Sequence, residues 1–157
     1  FDVLARARPA DRIAYPGAAT AQKQAAAYPD IAPLQVSVPV KVAYDVTLAL
    51  VTKRKWHIAD ARPPAGNGRD ATIEATARTP IMGFRDDVVI RITRTNEGAR
   101  VDVRSASRYG LSDFGANAAR VRSLIEDIDD AAGSAPAQRP EPEPVKKSPP
   151  KRPPARR

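Results

Sequence analysis

His57 is the only histidine in 157 residues, and there is no cysteine. Those two counts exclude disulfides, thiolate metal sites, His-cluster metal sites and cysteine nucleophiles. The remaining acid–base candidate is His57 with an acid on a neighbouring strand, and alternation brings Glu74 to that position. Such a pair could move a proton in a small hydrolase or isomerase. Charges of both signs recur along the same face in every strand, however, and a solvated lattice of ion pairs accounts for them without chemistry. Ser105 and Ser107 do not complete a nucleophilic triad, because two strands separate them from His57. No catalytic residue and no cofactor is assigned, and the chain leans away from enzymes.

Asp86 and Asp87 are adjacent, and consecutive side chains on a strand point to opposite faces, so they make no carboxylate pair. A hard-cation site built from Asp86 and Asp113 competes with turn and capping duty, and no metal is expected. Arg104, Arg108 and Arg120, with Arg122 close by, gather where the last strand meets the last helix. They are the anion-binding candidates, helped by the helix N-terminus. Their competing use is ion pairing with Asp86, Asp87 and Asp113. Ile81, Met82 and Phe84 belong to an apolar loop, Pro80 to Phe84, where polar residues are usual. The loop is expected either to fold back over the core or to touch a lipid, a membrane surface or a protein. Ala75, Ala77 and Ser105 are small inward residues near the same end. They leave room for close helix packing or for a hydrophobic ligand between sheet and helix.

The elements that must position these groups start from two strands. DVVIRIT (Asp87 to Thr93) and RVDVRSASR (Arg100 to Arg108) alternate apolar and polar residues, the pattern of half-buried strands. Thr95-Asn96-Glu97-Gly98 joins them as a turn with glycine where a left-handed residue is wanted. That loop sets Ile92 opposite Val101, Ile90 opposite Val103 and Arg91 opposite Asp102. A one-residue slip would place Ile92 against Asp102. TIEATAR (Thr72 to Arg78) is expected to pair Ile73 with Ile92, Glu74 with Arg91 and Arg78 with Asp87. WHIADA (Trp56 to Ala61) is expected to set Ile58 beside Ile73 and His57 opposite Glu74. The polar face then carries a row His57, Glu74, Arg91, Asp102.

Upstream, LQVSV (Leu34 to Val38) reads as a first strand. Pro39 suits the first turn of a helix running Val40 to Lys55, with Val42, Val46, Ala49 and Leu50 inward. Downstream, Ser112 or Asp113 is expected to cap a helix reaching about Ala131, with Phe114, Ala118, Val121, Ile125 and Ile128 on one face. Its acidic C-terminal end opposes the helix dipole and calls for Lys or Arg partners from the first helix. The result is an α+β fold: a two-layer, mostly antiparallel sheet in the order β-α-β-β-β-β-α, with two helices packed on one face. Residues 1–33 form an Ala/Pro-rich arm with one short helix over Ala18 to Ala27, and residues 34–132 the folded domain. Residues 133–157 form a disordered tail holding 8 of the 16 prolines. Seven basic residues against two acidic ones lie beyond Ser134, so the tail supplies most of the net +8. It could hold an anionic lipid or another polyanion by charge. Nucleic acid is disfavoured, because its basic residues lack interleaved aromatics.

RTPIMGFRDDVVIRI, then RVDVRSASRYGLSDFGANAARVRSLIEDI, with AYPDI upstream, resembles the bacterial family catalogued as domain of unknown function 1499. The shared blocks here are Gly83, Phe84, Asp86 to Arg91, and Asp102 to Arg108 with Gly110, Ser112, Asp113, Gly115 and Asn117, followed by Arg120. The resemblance implies no reaction. It does imply a membrane tether, because some members carry short N-terminal spans before this domain. The expected role is a non-enzymatic binding or scaffolding domain on the extracytoplasmic, periplasmic side, meeting a lipid, membrane surface or envelope protein near Ile81–Phe84. The chain begins at Phe1, which fits a piece without its anchor.

Overall fold

The computed structural model describes Leu4 and residues 18–66, 70–79, 83–108 and 115–135. The elements are α1 (Ala18–Ala27), β1 (Leu34–Val36), α2 (Val40–Lys53), β2 (His57–Arg62), β3 (Ala71–Arg78), β4 (Arg85–Thr95), β5 (Gly98–Ser107) and α3 (Ala116–Gly133). The strands form one antiparallel sheet in the order β1-β5-β4-β3-β2. The α+β architecture is therefore as the alternation predicts. β1 and β2 lie at opposite edges, so α2, which joins them, crosses the whole inner face. α3 packs beside it against β5 and β1. Ile73, Ala75, Val88, Ile90, Ile92 and Val101 turn inward and are fully buried, with Leu124 and Ile128 of α3. Each large aliphatic of this set contributes about 1.5–3 kcal/mol by leaving water. Among the described residues, no helix is long and apolar enough to cross a membrane.

The β4–β5 register is the expected one, with Ile92 opposite Val101, Ile90 opposite Val103 and Arg91 opposite Asp102. The β3–β4 register differs by two residues: Ile73 meets Ile90, Glu74 meets Val89, and Arg78 meets Arg85 rather than Asp87. Apolar matching could not choose between the two, because a two-residue slip keeps every aliphatic on the inner face. The hairpin closure chooses. Thr79 N–H donates to Phe84 O at 2.9 Å, and Phe84 N–H donates to Thr79 Oγ1 at 2.9 Å. Gly83 takes φ 65 inside the turn. In β2 an irregularity between Ile58 and Asp60 sets His57 opposite Thr76 and Asp60 opposite Glu74. The expected row His57, Glu74, Arg91, Asp102 is thereby broken everywhere except at Arg91 and Asp102.

The helix stripes also differ in detail. α2 buries Val42 as expected, together with Val40, Ala43, Tyr44, Thr47 and Val51, while Val46 and Leu50 are half-buried and Ala49 faces solvent. α3 buries Leu124 in place of Ile125. It starts at Ala116 behind Gly115 in the left-handed conformation, later than a Ser112 or Asp113 cap requires. Its acidic end does find a cation from α2: Arg54, at that helix's C-cap, reaches Asp127 at 2.6 Å and Ser123 O at 3.0 Å.

Lys55 follows Arg54 with φ 56, the one left-handed residue other than glycine among the described residues. Its N–H donates to Thr52 O at 2.9 Å, closing the helix in the position where glycine is usual. Lys55→Gly should therefore raise stability in urea denaturation, by about 0.5–1 kcal/mol once the greater freedom of unfolded glycine is subtracted. An unchanged or lower midpoint would show that this backbone is not strained.

Candidate functional site

In an antiparallel ladder the start of β2, the end of β3, the start of β4 and the end of β5 share one end of the sheet. Arginines from the end of β3, the start of β4 and the residue just past β5 meet there. Arg78 stands directly opposite Arg85. Arg108 N–H donates to Arg85 O at 3.0 Å, continuing the row onto the end of β5. Lys55 arrives from the turn before β2, and His57 is the first residue of β2. Like charges directly opposite destabilise a strand pair, so the arrangement works against the fold. Arg78, Arg85, Lys55 and His57 are exposed, and among the described residues none has an acidic partner.

These side chains line a pocket of about 550 Å³ on the face away from the helices. Five of its ten lining residues are Lys or Arg, one is His57, and none is acidic. Trp56, Leu4 and Ala59 supply an apolar wall, and Thr76 lies in the floor. Arg54 stacks over the Trp56 ring at 5.7 Å from its centroid, which fixes that wall. Leu4 is buried, and its N–H donates to Glu74 Oε2 at 2.9 Å. The outer face of the sheet is thus covered at this point, where alternation predicts a solvated one. Glu74 is only 3% exposed.

Beside the pocket the two aspartates take opposite faces, as predicted. Asp87, with no exposed surface, accepts from Arg108 Nε at 2.9 Å and from Thr76 Oγ1 at 3.2 Å on the outer side. Asp86 turns toward α3 and pairs with Arg120 at 2.6 Å. Arg120 also donates to Ser105 Oγ at 2.9 Å and to Asn117 Oδ1 at 2.7 Å, and Asn117 Nδ2 donates to Ser107 Oγ at 2.8 Å. These five side chains close on one another and hold α3 against β4 and β5.

Of the three arginines picked out as anion candidates, Arg108 lines the pocket. Arg120 is engaged with Asp86, and Arg104 stands opposite Val89 on the outer face. Arg122 leaves the corner altogether. It lies over Tyr28 at 5.6 Å and pairs with Asp30, whose carboxyl it holds below its ordinary value chiefly by that hydrogen bond. Phe84 is 49% exposed at the hairpin tip and is the one exposed large hydrophobic side chain among the described residues. Ile81, Met82, Asp113 and the basic tail lie outside those residues. His57 and Glu74 face different partners, Thr76 and Asp60, so the register does not bring them together as an acid–base pair.

Sequence reasoning missed Lys55, Arg78 and Arg85. What decides the register is the pairing of Thr79 with Phe84, and that closure sets Arg78 against Arg85.

Among curated proteins no relative matches this chain. A family described as protein of unknown function, DUF1499, matches residues 11–128. That span holds the whole sheet, every pocket-lining residue except Leu4 and the first two-thirds or so of α3, so the chain belongs to the DUF1499 family.

Proposed function

We propose that this chain is a non-enzymatic binding domain of a membrane-tethered envelope protein, and that it meets an anionic membrane surface with the end of the sheet that carries Phe84. The observation that carries the reading is the juxtaposition at the hairpin tip. A half-exposed Phe84 adjoins Arg85 in sequence, and Arg85 lies opposite Arg78, both without acidic partners among the described residues. An aromatic that can enter the headgroup boundary, at the same end of the sheet as two cations that can meet anionic lipid, is the chemistry of interfacial contact. Each cation near such a surface contributes about 1 kcal/mol, and salt weakens that share. The extracytoplasmic, periplasmic location follows from the family resemblance and is part of the same proposal.

Flotation with vesicles tests it. The chain should partition onto phosphatidylglycerol vesicles and much less onto phosphatidylcholine. Phe84→Ser should lower that partitioning about tenfold, the effect of losing most of a buried aromatic ring, with an unchanged circular dichroism melt. Equal partitioning of wild type and Phe84→Ser would remove this end of the sheet from the contact.

A further inference from the structure

The cationic end is more than a charged surface: it is concave, it has an apolar wall, and its charges are held side by side by the backbone. Arg78 and Arg85 are fixed as direct neighbours by the β3–β4 ladder. Arg108 is locked beside them by the buried Asp87 carboxylate, which neutralises one charge of the row and leaves the others. Lys55 is projected from a left-handed backbone that glycine would adopt more easily. Two unfavourable choices, a like-charge pair and a left-handed lysine, thus converge on one pocket of about 550 Å³. A dianionic oxyanion seated between Arg78 and Arg85 relieves the repulsion, because two guanidinium groups can each present paired N–H donors to its oxygens. The space beyond it, along Trp56 and Leu4, suits a small apolar or aromatic substituent.

We propose that the pocket formed by Lys55, His57, Arg78 and Arg85 against Trp56 binds a phosphate monoester, with the phosphate between the two arginines and its organic group along Trp56. The inference deepens the membrane-contact reading by naming the headgroup chemistry, but the same phosphate monoester could be a soluble metabolite or a lipid headgroup.

The test uses the full chain with two probes, phenyl phosphate in solution and vesicles containing phosphatidic acid. Phenyl phosphate, followed by calorimetry and by NMR of arginine Nε–H and tryptophan indole N–H groups, should bind saturably at one site per chain and shift Arg78, Arg85 and Trp56. Arg78→Gln and Arg85→Gln should each weaken binding about tenfold, and the pair together about a hundredfold. Both side chains are exposed, and removing either lessens a repulsion, so these variants should melt no lower than wild type. Lys147→Gln with Lys151→Gln, in the basic tail, should leave the affinity unchanged. Saturable binding lost in the double arginine variant carries the inference whether or not vesicles bind, and vesicle binding then separates a lipid source from a soluble one. No saturable binding of phenyl phosphate overturns it, as does binding that survives in that double variant or disappears with the two tail lysines. In those cases vesicle partitioning that depends on Phe84 would leave the membrane-contact reading standing.

Discussion

Arg120→Ala is expected to destabilise the protein by about 3–5 kcal/mol, the usual cost of removing one partner from a buried ion pair. Asp86 is 2% exposed and lies on the helix side of β4, so losing the guanidinium leaves its carboxylate buried without that partner. The same substitution strips Ser105 and Asn117 of a donor each, so the contact that holds α3 on β5 loosens as well. Urea denaturation should show a lower midpoint with a slope close to that of wild type. Pairing Arg120→Met with Asp86→Asn should cost less than Arg120→Ala alone, because the buried charge is then gone too. A loss below about 1 kcal/mol for Arg120→Ala, the range of a surface pair, would mean that solvent reaches Asp86.

Gly98→Ala should cost about 3 kcal/mol for two separate reasons. Gly98 has φ 147, a backbone conformation that side chains rarely adopt, and a methyl group there would lie 2.1 Å from Val36 O. The neighbouring atom is backbone, so it cannot swing aside. The strand at risk is β1, a three-residue edge strand held by its ladder to β5. Hydrogen exchange should therefore accelerate at Leu34 to Val36 well before the centre of the sheet. Protection of β1 equal to wild type would show that the close approach of Gly98 to Val36 does not exist in solution.

Local alternation and one glycine-bearing turn made the β4–β5 pair legible, because the two strands are joined by a loop too short to allow a second register. The order of elements and the side taken by each helix followed from the same pattern. What was not legible depended on longer loops or on contacts far apart in sequence. Ile73 fits Ile90 as well as Ile92 by hydrophobicity, so the β3–β4 register waits on the closure of the turn at Thr79 and Phe84. Leu4 over Glu74 joins residues 70 apart, and no local signal encodes it. The left-handed Lys55 is invisible for a different reason: the sequence shows a lysine at the end of a helix, which the dipole favours, and nothing in its type announces the backbone. The candidate site inherits both failures. Its defining pair, Arg78 and Arg85, emerges only once the register is right, whereas Asp86, Asp87 and Phe84 could be placed by their positions alone.

Everything proposed for the cationic end therefore turns on a two-residue question in the β3–β4 ladder. In the register seen here Arg78 meets another arginine and the pocket holds no acid. In the alternative register Arg78 would meet Asp87, its charge would be cancelled, and the pocket would lose its character. Cross-strand nuclear Overhauser effects in the free protein distinguish the two directly. Proximity of the Arg78 backbone to Arg85, with Ile73 close to Ile90, is the predicted result. Arg78 close to Asp87, with Ile73 close to Ile92, would contradict the account at its foundation.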